Sequence, residues 1–184
     1  MRQTVPNCIT FLRMAGALCL LFVQPLSAAF YAVYTACGIS DVLDGMIARA
    51  TDSASALGAK LDSVADLLFF VIVLLRLISL LWTQLPAGLW CGVGVVLFFR
   101  ICAYIIAALK YRRFASRHTW LNKLAGISLF FVPYLMNRGC FVGYCAVCCA
   151  IAEASAIEEW LIYIRMQRYD PDIRTIWQTE KTRK

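Results

Sequence analysis

Six stretches of predominantly apolar residues run almost end to end through the chain, each close to the length that the hydrocarbon core of a bilayer demands of a helix. A spanning helix needs about 20 such residues at roughly 1.5 Å of rise apiece. On that ruler the spans fall near 8–24, 28–49, 60–82, 87–110, 119–136 and 141–164. Three short connectors carry turn chemistry: Gln24-Pro25, Thr83 to Gly88 around Pro86, and Asn137-Arg138-Gly139. Two longer ones, near 50–59 and 111–118, are polar. Composition agrees, because 61% of the 184 residues are hydrophobic and only 16% charged. Soluble domains carry roughly 45–50% and about 25%, so this surplus has no aqueous surface to occupy. The expected fold is all-α: a polytopic membrane bundle of six transmembrane helices, one domain over residues 1–184 with a peripheral tail from about residue 166.

Lys and Arg gather on one side of this arrangement. Arg2, Arg49, Lys60, Lys110, Arg112, Arg113, Arg117 and Lys123 flank the longer connectors and the start, and Arg165, Arg168, Arg174, Lys181, Arg183 and Lys184 follow the last span. The three short connectors opposite hold only Arg138. The positive-inside rule then places both termini in the cytosol, as an even number of spans also requires. The net charge of +7 reads as a topology signal with attraction to anionic lipid headgroups, not as a nucleic-acid footprint. No cleavable signal pattern precedes the first apolar run, so that span is expected to be retained. The nine cysteines lie mostly inside apolar runs, and Cys145-x-x-Cys148 has no second pair or nearby histidine, so apolar packing is the expected role.

Chemistry concentrates in SDVLDGMIARATDSASALGAKLDSVAD, residues 40–66, which sets four aspartates into the ends of two hydrophobic spans. A carboxylate at a helix centre costs about 2.5–3.5 kcal/mol on insertion scales, so an intramembrane Asp is a functional candidate by default. Asp41 and Asp44 are spaced i,i+3, and Asp62 and Asp66 i,i+4, which puts each pair on one helix face. The second and third spans meet at the connector near 50–59, so two antiparallel helices would present the four carboxylates at one level. Carboxylates at such quarters in a low dielectric need cations, and hard oxygen ligands suit Mg²⁺ or Mn²⁺. Two ions would hold a diphosphate in a chain that has no phosphate-gripping P-loop. Gly45, Gly58 and Ala48 keep the surroundings low enough for an extended ligand, and Arg49 adds a cation at the mouth. A buried ion-pair network or cation pathway using Arg13, Arg76 and Arg100 would not need the glycines or their spacing.

The pattern D-x-x-D-G-x-x-A-R-x(8)-G-x(3)-D-x(3)-D, here Asp41, Asp44, Gly45, Ala48, Arg49, Gly58, Asp62 and Asp66, resembles the signature of the CDP-alcohol phosphotransferases at every fixed position. The resemblance implies transfer of a phosphatidyl group from CDP-diacylglycerol to a small polar alcohol with release of CMP. It further implies that Asp41, Asp44 and Asp62 hold two metal ions, with Asp66 completing the metal site and acting as general base. Gly45, Ala48, Arg49 and Gly58 would line the CMP pocket. A homodimer in a bacterial cell membrane, with the active site facing the cytosol, is expected on the same ground.

The acceptor is less closely specified. VPNCITFLRM resembles the P-N-x-[LI]-T-x-x-R opening of phosphatidylglycerophosphate synthases, which implies glycerol 3-phosphate. Those enzymes often read D-P-V-A-D-K where this chain has DSVADLL, and serine or an inositol phosphate stays open as acceptor. Arg112, Arg113 and Lys123 are the candidates to hold an acceptor phosphate, although topology alone would also place them there. His118 in the same connector is expected to be a solvated loop residue. Two rivals use the same aspartates: an intramembrane prenyltransferase, which usually needs more spans, and a divalent-cation transporter.

Overall fold

The computed structural model describes residues 4–50, 56–111 and 119–166. Among them every regular element is helical: α1 (Thr4–Cys19), α2 (Ala28–Ala50), α3 (Ala56–Gln84), α4 (Ala87–Tyr111), α5 (Trp120–Phe130), α6 (Val132–Leu135) and α7 (Phe141–Arg165). Three of the described helices are long and apolar enough to cross a membrane, over Val64–Gln84, Ala87–Lys110 and Phe141–Arg165, and Cys8–Cys19 and Ala28–Leu43 are shorter apolar segments. Only 11% of the most apolar window of α4 is buried within the protein, against 28% for α7. So much apolar surface left uncovered is at home in lipid rather than water. Five of the six expected spans correspond to single helices. The fifth, expected unbroken over 119–136, is divided into α5 and α6 at Phe131, because Pro133 at the start of α6 has no N–H to return to the preceding turn.

The chain divides into two compact units, Met1–Thr83 and Gln84–Lys184. In the first, α1 buries Thr10, Arg13 and Ala17 at the helical period, with Leu20 buried just beyond its end, and α2 buries Phe30, Tyr34 and Cys37 on a matching stripe. The two helices run antiparallel and very close, since a Cβ built on Gly16 would lie 2.8 Å from Cys37 Sγ. Tyr34 stacks on Phe30 and, at a 5.3 Å centroid distance, on Phe69 of α3. Among the described residues of α3, Ala65, Ile72 and Leu77 are buried. Ser27 starts α2 by accepting the Phe30 N–H at 3.1 Å, after Leu26 has turned the chain through φ 61°. Arg76 closes the same end of the unit by donating from Nη2 to the Val23 carbonyl at 2.6 Å.

In the second unit α7 is the axis, with α4, α5 and α6 packed on it. Ala103, Ala107 and Tyr163 form a buried cluster flanked by Ile106 and Trp160. Gly92 brings α4 against α7, where an added Cβ would lie 2.6 Å from Cys149 Sγ. Arg100 of α4 donates to Glu159 Oε2 at 2.9 Å and to Asn122 Oδ1 at 2.7 Å, which ties α4, α7 and α5 through one guanidinium. Thr119 caps α5 by accepting the Asn122 N–H at 3.1 Å, and Lys110 Nζ donates to the Tyr163 and Ile164 carbonyls near the end of α7. Cys145 and Cys148 are buried on α7.

Candidate active site

The packing stripes of α1, α2 and α3 change character at one end of the first unit, where apolar residues give way to Arg13, Asp41, Asp62 and Asp66. The antiparallel register explains why these meet. Tyr34 faces Phe69, so seven residues further along α2 Asp41 arrives opposite Asp62, seven residues back along α3, with Asp66 one turn above it. In the sequence Asp41 follows the apolar run that opens α2, and Asp62 and Asp66 precede the long apolar run of α3 that continues from Leu67. The carboxylates therefore stand at the border between polar and apolar chain. Ala65, fully buried between Asp62 and Asp66, keeps α3 close to its neighbours at that level.

One ligand oxygen from each of Asp41, Asp62 and Asp66 lies within 4.8 Å of the others. Oxygens around an octahedral Mg²⁺ at about 2.1 Å stand roughly 3 to 4.2 Å apart, so the triad fits such an ion after closing by well under 1 Å. The donor set fits as well, being three hard anionic oxygens with no sulfur or nitrogen ligand among them. Asp44 follows Asp41 by three residues on the α2 backbone, and Gly45, Ala48 and Arg49 continue the same helix toward Ala50. Gly58 lies in the first turn of α3.

Arg13 of α1 reaches into the middle of this cluster. Its Nη1 donates to Asp41 Oδ1 and, at 2.9 Å, to Asp66 Oδ1, and its Nη2 donates to Asp62 Oδ1. The Arg13 side chain is 1% exposed, whereas the three carboxylates are 43–54% exposed. A desolvated guanidinium so placed must be paired, and charge-assisted bonds to carboxylates are the strongest available. Three carboxylates and one guanidinium leave an excess of negative charge that opens to the outside on the carboxylate side. Cys37 Sγ, 3.8 Å from the Arg13 carbonyl, fixes the α1 backbone at the same height.

From the sequence Arg13 enters only as a member of an ion-pair network weighed against the metal site, and the structure does pair it with three of the aspartates. Its signal was available, because Arg13 is the closing arginine of the P-N-x-[LI]-T-x-x-R opening and a lone charge in an apolar run calls for a carboxylate partner. Arg76 sits ten residues beyond Asp66, about 15 Å along α3, and serves the Val23 carbonyl instead. Arg100 belongs to the second unit with Glu159. Of the residues expected to hold an acceptor phosphate, Lys123 is on α5, 5.3 Å from the centroid of the Trp120 ring, and Arg112 and Arg113 lie outside the described residues.

The chain is similar to known proteins. Over 102 residues the chain is 35% identical to a CDP-diacylglycerol--glycerol-3-phosphate 3-phosphatidyltransferase of Pseudomonas fluorescens, a match covering 51% of this chain and 52% of the relative. It is 32% identical over 95 residues to a protein of the same name from Wigglesworthia glossinidia brevipalpis, covering 47% and 52%. The chain thus spans about half the length of the curated relatives it matches. No solved structure matches it. A family model described as CDP-alcohol phosphatidyltransferase covers residues 3–165, which takes in α1 to α7 and all four aspartates. With apolar helices fit to cross a bilayer and the match running through nearly all of them, this is an integral membrane protein that belongs to the CDP-alcohol phosphatidyltransferase family.

Proposed function

We propose that the protein transfers the phosphatidyl group of CDP-diacylglycerol to glycerol 3-phosphate, releasing CMP and forming phosphatidylglycerophosphate. The observation that carries this reading is the convergence of Asp41, Asp62 and Asp66 from two antiparallel helices, next to the apolar runs of both. The activity for which the two relatives are named supports the choice of acceptor.

Asp41, Asp44, Asp62 and Asp66 would hold two ions, Mg²⁺ or Mn²⁺. When bound, such ions supply neutralisation of the diphosphate and of the charge that develops as its bridge breaks. The chain's own residues do the rest. Asp66, the most exposed of the three described carboxylates, accepts the proton of the acceptor hydroxyl at a carboxylate oxygen. The acceptor oxygen bonds to the lipid-side phosphorus, the phosphoanhydride bond breaks, and the electron pair leaves with CMP. Gly45, Ala48, Arg49 and Gly58 would line the CMP pocket. Arg112, Arg113 and Lys123 are the residues proposed to hold the acceptor phosphate.

The same reading gives the chain six spans as a single domain, the break at Phe131 lying within the fifth, with both termini and the site on the cytosolic side of a bacterial cell membrane. It also gives a homodimer with one complete site per protomer, surrounded by membrane lipids. Purified protein with CDP-diacylglycerol and Mg²⁺, offered glycerol 3-phosphate, serine and inositol phosphate in turn, tests it by mass spectrometry of the lipid product. Phosphatidylglycerophosphate with stoichiometric CMP is expected. A product with serine or inositol phosphate instead refutes the acceptor, and metal flux into proteoliposomes with no lipid product refutes the enzyme.

A further inference from the structure

We propose that Arg13 is an exchangeable counter-cation of the carboxylate cluster: its guanidinium and a divalent ion compete for Asp41, Asp62 and Asp66, and the ion seats fully only as the arginine withdraws. This rests on the metal-dependent reading above and adds to it a residue from α1, outside the aspartate signature.

The contacts give the first reason. The two terminal nitrogens of Arg13 take one oxygen from each of the three carboxylates, the residues whose oxygens stand close enough to share an ion. An arginine recruited only to brace a helix is satisfied by one carboxylate gripped by both prongs of its fork. Here a single positive charge gathers three negative ones from two helices and leaves most of their charge uncompensated, which a dication would offset more completely. A second reason is direction. Arg13 enters from the closed side, at 1% exposure, while the carboxylates are about half exposed on the other, so an ion arrives from the face opposite the arginine. A dication on the remaining carboxylate oxygens would stand within the width of one carboxyl group of the guanidinium, and like charges so close in a poorly hydrated site repel strongly. The arginine stem is long and flexible, so the fork can retreat while α1 stays seated through Gly16 and Cys37.

The experiment is a Mn²⁺ titration of the purified protein in detergent micelles, with free Mn²⁺ read by electron paramagnetic resonance, on wild type, Arg13→Gln and Arg13→Lys. Removing the competing charge is expected to tighten Mn²⁺ binding by about tenfold in Arg13→Gln. The same variant should melt below wild type in EDTA and regain most of the difference in saturating Mn²⁺. Arg13→Lys keeps the charge but not the fork, and is expected to bind about threefold tighter than wild type. Should Arg13→Gln fail to fold, Arg13→Lys decides alone. Unchanged or weaker Mn²⁺ affinity in the variants, with wild type binding the ion, makes Arg13 a brace for the carboxylates and overturns the competition while the metal reading stands. No Mn²⁺ bound by any of the proteins overturns both.

Discussion

The close approach of α1 to α2 makes a prediction whose sign depends on one sulfur atom. Gly16→Ala places a Cβ 2.8 Å from Cys37 Sγ, about 0.6 Å inside the 3.4 Å at which ordinary contact begins, while its next neighbour, Val33 Cγ1, is at a comfortable 3.8 Å. Alanine in a helix interior is favoured over glycine by about 1 kcal/mol. Overpacking a tight interface costs about 1–3 kcal/mol, and Cys37 cannot swing aside without leaving the Arg13 carbonyl. Gly16→Ala alone should therefore lower stability by about 0–2 kcal/mol. Cys37→Ala alone removes a thiol that is 4% exposed and should cost about 1–2 kcal/mol. In the double variant the added methyl meets only Val33 and partly fills the space that the sulfur left. The two changes should thus be coupled favourably by about 1–3 kcal/mol, so that the double variant is at least as stable as Cys37→Ala. Reversible unfolding in mixed micelles, followed by circular dichroism, measures all four corners of the cycle. Additivity within about 0.5 kcal/mol would refute the reasoning and with it the geometry that seats Arg13.

Asp62→Asn should reduce phosphatidyl transfer by about 10²-fold or more while the protein stays folded, since a lost metal ligand forfeits several kcal/mol; near-normal activity in a folded variant refutes the assignment. EDTA should stop turnover and Mg²⁺ or Mn²⁺ restore it, and turnover that persists in a metal-free preparation counts against a metal site. In the second unit, Arg100→Met removes the guanidinium from a Glu159 that is 1% exposed and should cost about 3–5 kcal/mol in thermal or denaturant unfolding. Adding Glu159→Met should recover most of that loss, and a double variant as unstable as the sum of its parts would show that the pair is not coupled. Arg113→Gln should raise the Michaelis constant for glycerol 3-phosphate several-fold more than that for CDP-diacylglycerol, and equal effects on both would reduce the basic connector to a topology signal.

How far the sequence carries can be judged from particular residues. The apolar runs located the long helices within a few residues, because a bilayer solvent imposes one length on every span. The spacing of Asp41, Asp62 and Asp66 anticipated their convergence, because helical periodicity and one short connector leave antiparallel helices little choice of register. Two features escaped. Pro133 was present in the fifth run and should have divided it, but an uninterrupted hydropathy signal hides a missing N–H. Arg13 is 28 residues from Asp41 and 53 from Asp66, and no local pattern reaches so far. Only the rule that a charge among apolar residues must find an opposite partner pointed toward it.

Tyr144 bears on how such a protein is built. Its hydroxyl leaves α7 to donate to the Ser128 carbonyl at 2.7 Å, beside the break where Pro133 withholds a backbone donor. The same carbonyl also accepts the Phe131 N–H at 3.2 Å. Within a bilayer no water is at hand, and each polar backbone group must be satisfied by protein. The Tyr144 hydroxyl is thus a second donor to a carbonyl at the C-terminal end of α5, and it comes from a different helix. That bond ties α7 to α5 beside the proline break, and in a bilayer the phenol has no water to exchange it for, so it holds the two segments together more firmly than it would in an aqueous domain.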